Sequence, residues 1–218
     1  MGSGEGAGTP HNTGDGLLMA LELGAADYGL YSGCHATPMD LHMADFGNLD
    51  LPPGERKNYR KISYFLGVML NAHGARFVDE GANFRNYTYA QYGAAILEQP
   101  GQFAWQVFDS KTYDLLYDEY RFKDAHFVKA DRLEDLIAQM SGVDQAAASK
   151  TLARYNAAVD QTTGFDPTVL DGKATVGLNP QNQIGHKPSI KAFLRLSGHR
   201  RHHIHLWRFK GGCGGQEC

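Results

Sequence analysis

An α+β fold is the expectation for this chain, and three observations lead to it. Leu66 to Leu70 and FAWQVFD, from Phe103 to Asp109, are apolar runs of strand length, the second rich in the aromatic and Val residues that favour strands. Between the first run and Arg76-Phe77-Val78 stand Asn71, His73 and Gly74, which supply turn chemistry for a β-hairpin, since Gly reaches φ > 0 at little cost. Beyond residue 130, Leu, Ile, Met and Val recur with the amphipathic spacing of a helix pair. The expected architecture is therefore a hairpin, a small sheet and two helices.

The chain has 218 residues, a formal net charge of -3 and 42% hydrophobic residues, which suits one ordinary soluble domain or part of a larger one. No apolar run is long enough to cross a bilayer, and the N-terminus lacks the basic and apolar regions of a signal peptide. Three cysteines (Cys34, Cys213, Cys218) make no disulfide framework, so a reducing cytoplasm is expected. The near-neutral charge argues against nucleic acid as a partner.

In chain order, MGSGEGAG is a Gly-rich lead without core-forming residues. Thr13-Gly14-Asp15-Gly16 then precedes LLMALELGA, a helical run ended by Gly24. Asp15 reads either as the N-cap of that helix or as a polar contact to a ligand that the Gly-Asp-Gly turn lets approach. His35 stands in a stretch of small residues, where an imidazole can donate to a carboxylate; the alternative is an ordinary surface or packed histidine. Cys34 reads as a small buried residue, with no electropositive partner to activate it. Residues 40–60 are loop-like, and the cluster Arg56, Lys57, Arg60 and Lys61 lines an anion site or is solvated.

After the hairpin, whose return strand ends at Asp79 and Glu80, Arg85 falls on a polar loop. It either faces a ligand or pairs with Glu80 or Asp79. A helix follows and finishes with AAILEQ before the break at Pro100-Gly101. Trp105 in the next strand is core, and residues 112–128 are irregular with a short helix. One helix begins under an Asp131 cap, and a second runs from near Asp144 to about Gln161. Thr163 to Leu178 is loop. From Ser189 the chain turns basic and His-rich with neither helical nor strand period, and the spacing of His199, His202, His203 and His205 fits no standard zinc site.

Asn12-Thr13-Gly14-Asp15-Gly16, then His35-Ala36-Thr37, then Gly74-Ala75-Arg76-Phe77-Val78-Asp79-Glu80, then Arg85, taken in this order, resemble the flavoprotein subunits of the fumarate reductase and succinate dehydrogenase family. FRNYTYAQYG followed by PGQFAWQVFD is closest to the tricarballylate dehydrogenases within it. The resemblance implies an FAD-dependent oxidoreductase of small di- or tricarboxylates, served by an electron-transfer partner. It implies FAD contacts at Gly14, Asp15 and Gly16, substrate contacts at His35 and Thr37, and proton transfer by Arg85 as the catalytic residue. Ala36 and Asn86 replace the family's usual Pro and Asp, which leaves the exact substrate open.

The same resemblance divides the chain into 1–30, a remnant of the FAD-binding domain, 31–188, the substrate-capping domain, and 189–218, an out-of-frame tail. The tail can be back-translated so that the neighbouring frame spells SCAYPVTGGITFTFGGLKVDVAARS, a string similar to what the family carries there. No G-x-G-x-x-G turn for the FAD pyrophosphate is present. The chain alone is thus expected to be an inactive fragment. The alternatives are a stand-alone carboxylate-binding module and a metal-binding protein acting through the His-rich tail.

Overall fold

The structure is a computed structural model describing residues 11, 13–29, 35–42, 51–52, 55, 59–159, 174–175 and 177–178, with the backbone of 204–213. The Gly-rich lead, Asn12, Cys34, Arg56, Lys57, most of 163–178 and the chain around His199 to His203 lie outside the described residues. The fold is α+β. Five antiparallel strands form one sheet: β1 (Ala36–Asp40), β2 (Val68–Leu70), β3 (Phe103–Phe108), β4 (Phe127–Ala130) and β5 (Ile204–Cys213). Their order is β1-β5-β3-β2, with β4 sharing the β1 edge of β5. The helices are α1 (Asp15–Glu22), α2 (Arg85–Leu97), α3 (Leu133–Ile137) and α4 (Gln145–Ala158).

β3 organises the packing because all six of its residues are buried. Successive strand side chains point to opposite faces. Phe103, Trp105 and Val107 join Val68 and Leu70 against Leu136, Ile137, Met140, Leu152 and Tyr155 of the α3–α4 layer. On the other face Ala104 meets Met69, Tyr64, Tyr92 and Ile96, the last two from α2. Helices therefore cover both faces, and each large apolar side chain sealed between layers contributes about 2 kcal/mol. Trp105 is core as expected, 5% exposed, and its indole N–H donates to the Ser141 carbonyl.

The expected hairpin closes its turn but not its second strand. Asn71 N–H donates to the Ala75 carbonyl, and Asn71 Oδ1 accepts from His73 and Ala75 N–H, yet residues 76–79 form no strand. Here a side chain takes the place of a ladder. Glu80 Oε1 accepts the Met69 N–H at 2.7 Å, while Arg76 binds the same carboxylate and the Val78 carbonyl. β2 pairs with β3 instead.

Gly74 holds φ +67° where the turn meets α4, and a Cβ there would lie 2.4 Å from the Ala148 nitrogen and 2.6 Å from the Asp144 carbonyl oxygen. Gly74→Ala is expected to lower unfolding free energy by about 2–3 kcal/mol, combining left-handed strain with displaced helix backbone. Urea denaturation measures it, and a loss below about 0.5 kcal/mol would show that α4 yields freely.

Other boundaries also differ from expectation. Asp15 is the first residue of α1 rather than its cap; the N-cap is Gly14 at φ 84°, and no side chain caps the helix. α3 starts at Leu133 after an extended Arg132, so Asp131 is not its cap, whereas Asp144 does cap α4 by accepting the Ala147 N–H at 2.9 Å. Residues 36–40 are strand, not loop, and β4 arises in the stretch expected to be irregular. Part of the tail, 204–213, is a strand despite lacking strand period, since its backbone pairs with β1, β3 and β4.

Where the basic cluster is described, its charges pair with acidic neighbours, Arg60 half in solvent and Lys61 out of it. Lys61 is fully buried, its Nζ 3.3 Å from Asp40 Oδ2 and 2.7 Å from the Glu119 carbonyl, and Arg60 reaches Glu119 at 3.4 Å.

Candidate functional site

Arg85, expected on a loop, opens α2. Phe84 before it is extended, with its N–H held by Asn83 Oδ1 at 2.7 Å and its carbonyl accepting the Tyr87 N–H at 2.9 Å. The Arg85 carbonyl accepts a hydrogen bond from the Tyr64 hydroxyl at 3.3 Å, and that hydroxyl also lies 2.7 Å from Thr88 Oγ1. Burial raises the Tyr64 phenol well above its usual range, so it is a neutral hydroxyl at physiological pH.

The guanidinium of Arg85 sits over the Tyr117 ring, 5.4 Å from its centroid, and Nε is buried without a hydrogen-bond partner. The carboxylate nearest in sequence is already engaged. Glu80 is 1% exposed and bound by Arg76, itself 6% exposed and stacked 5.0 Å from the Tyr155 ring. Burial works against the Arg76 charge, but the Glu80 carboxylate outweighs it and holds the guanidinium protonated. Arg60, Lys61 and Arg76 all have carboxylate partners. Among the described side chains, Arg85 is the half-buried cation that has none.

α2 lies directly on the start of β1. Gly93 permits it: a Cβ there would come 2.5 Å from the Ala36 carbonyl and 2.6 Å from the Thr37 nitrogen. This contact sets exposed His35 against Tyr89, ring centroids 5.0 Å apart and edge-on, with half-buried Thr37 two residues on. Tyr89 is one turn from Arg85 on the same helix face. The structure thus brings Arg85, His35 and Thr37 along one helix.

It does not bring in the Gly-Asp-Gly turn. α1 buries no residue, its hydrogen bonds stay within residues 13–25, and among the described residues no hydrogen bond, ion pair or ring contact joins it to Arg85. The turn is nevertheless open to a ligand. A Cβ on Gly14 or Gly16 would meet nothing within 4 Å, and exposed Asp15 is oriented by Thr13 Oγ1, which donates to Oδ2 at 2.7 Å. These residues suit a polar contact to a cofactor approaching from outside the described chain.

Sequence reasoning missed Tyr64, Thr88, Tyr89 and Tyr117. Thr88 and Tyr89 stand three and four residues after Arg85, a helical spacing that could have flagged them. Tyr64 and Tyr117 reach Arg85 only through the fold. Among the described residues no group of three or more His, Cys, Asp or Glu could hold a metal ion, and no helix is long and apolar enough to cross a membrane.

No family model matches the chain. The probable fumarate reductase Ifc3 of Shewanella frigidimarina (strain NCIMB 400) is 32% identical over 177 residues, covering 77% of this chain and 25% of that protein. The chain spans about a quarter of the length of that curated relative. Among solved structures, 3-ketosteroid delta1-dehydrogenase from Sterolibacterium denitrificans, in complex with 1,4-androstadiene-3,17-dione, shares the fold. Its TM-score is 0.53 at 21% identity, over 97% of this chain and 37% of that one. An open flavocytochrome c3 fumarate reductase aligns with TM-score 0.49 and 24% identity, over 93% and 29% of the two chains.

The chain is thus similar in sequence to part of a probable fumarate reductase and shares its fold with part of a dehydrogenase.

Proposed function

We propose that this chain is the substrate-capping part of an FAD-dependent oxidoreductase acting on a small di- or tricarboxylate, with tricarballylate dehydrogenase as the narrower likeness. The observation that carries the reading is Arg85, a half-buried guanidinium with no carboxylate partner, on the helix face that also meets His35. In this reading residues 31–188 cap the substrate, 1–30 belong to the flavin side, and 189–218 are read out of frame. Asp15, Gly14 and Gly16 would hold FAD, which when bound supplies hydride exchange at a carbon beside a carboxylate. His35 and Thr37 hold that carboxylate, and Arg85 exchanges the proton at the neighbouring carbon. An electron-transfer partner serves the full enzyme, and the cytoplasm is its compartment.

Titration of the purified chain with FAD, followed by flavin fluorescence, tests the reading. Saturable binding in the micromolar range, weakened about tenfold or more by Asp15→Ala, is expected from loss of one charge-assisted hydrogen bond. Succinate and tricarballylate binding should fall by a similar factor in Arg85→Ala. A folded chain that binds neither flavin nor carboxylate would sink the proposal.

A further inference from the structure

We infer that Tyr117 is a positioning residue for Arg85, turning the guanidinium so that its two terminal nitrogens, and not Nε, face the substrate. The inference rests on the reading of Arg85 as the substrate-facing group. Three sides of the guanidinium are distinguishable. One face lies over the Tyr117 ring at 5.4 Å. The Nε edge is sealed from solvent and unpaired, so an incoming substrate cannot reach it. The terminal nitrogens have no protein partner and are not sealed, which leaves them for a ligand.

Tyr117 is itself held by a buried chain of hydrogen bonds that reaches the centre of the sheet. Ser63 Oγ accepts the Tyr117 N–H at 3.1 Å, and the Tyr120 hydroxyl accepts the Ser63 N–H at 2.8 Å. The same hydroxyl donates to Gln106 Oε1 at 2.6 Å, and Gln106 Nε2 donates to the Lys61 carbonyl at 2.8 Å. On its outer side the Tyr117 ring packs edge-on to Phe65, centroids 6.4 Å apart. Only the backbone of Tyr117 and the plane of its ring enter this account, so the phenolic oxygen is dispensable and the ring is not.

The test uses the full chain and two readouts. The Nε–H resonance of Arg85, assigned by its disappearance in Arg85→Lys, should lie upfield in the ring current of Tyr117. It should move downfield by several tenths of a ppm in Tyr117→Leu and stay in place in Tyr117→Phe. Succinate affinity, followed on the same resonance, should fall about tenfold in Tyr117→Leu and change less than about twofold in Tyr117→Phe. A resonance that Tyr117→Leu leaves unmoved overturns the inference, as does equal affinity of the parent, Leu and Phe chains. If the parent binds no succinate, the functional reading fails by itself, and the resonance still decides whether Tyr117 sets the guanidinium.

Discussion

Raising the pH from about 9 to about 11 is expected to remove several kcal/mol of unfolding free energy, a large part of the stability of an ordinary domain. Four deeply buried tyrosines carry most of it, and Tyr59, pushed up to about 12 by burial and by Asp124, adds to it. Tyr64, Tyr92, Tyr120 and Tyr155 are at most 3% exposed, and burial raises each phenol far above its usual 10.0. Above pH 10 the unfolded chain ionises while the folded chain does not, so each group costs about 1–2 kcal/mol by pH 11. Lys61 works in the opposite sense. Burial lowers its amine below 10.5 against the pull of Asp40, so the folded form sheds its proton first and gains stability as pH climbs from that lowered value to 10.5. One amine does not offset four phenols. The buried share of the tyrosinate absorbance should therefore appear only as the far-UV circular dichroism is lost, after the exposed rings such as Tyr28 and Tyr87 have ionised. Ionisation of all eleven tyrosines with the dichroism intact would contradict the burial of these rings.

Glu80→Ala is the substitution with the largest expected cost, about 3–5 kcal/mol, because it leaves the Arg76 cation buried without its counter-charge. It also strips the Met69 N–H of its acceptor on the free edge of β2. The Tyr155 ring and the Val78 carbonyl remain to Arg76, but neither carries a full negative charge. Denaturant midpoints measure the loss. Replacing both partners at once, Arg76→Met with Glu80→Leu, should recover most of it, since two matched apolar groups avoid the desolvation cost of the pair. A single-variant loss under about 1 kcal/mol would mean that water reaches Arg76.

The legible parts of the fold were those whose signal is local. α2, α4 from near Asp144, and β3 followed from periodicity and composition. The return strand of the hairpin did not form because a side chain, Glu80, claimed the backbone donor that the strand would have used. β4 and β5 were missed for a related reason: FVKA is half exposed, and the 204–213 backbone owes its strand form to three partners distant in the chain. The site divides in the same way. His35 and Thr37 do come to lie along the helix that Arg85 opens, and the alternative of Arg85 pairing with Glu80 is excluded because Arg76 holds that carboxylate. Which of two nearby arginines wins one acid is a question of depth, and sequence spacing does not record depth.

The place of β5 also governs when the protein can fold. It lies between β3 on one side and β1 with β4 on the other, almost a hundred residues after β3 in the chain. On the ribosome, three strands would wait with a bare edge each until that late segment emerged, exposed to pairing with other nascent chains. Closing so long a loop makes sheet assembly slow, and the finished helix layers cannot hasten it.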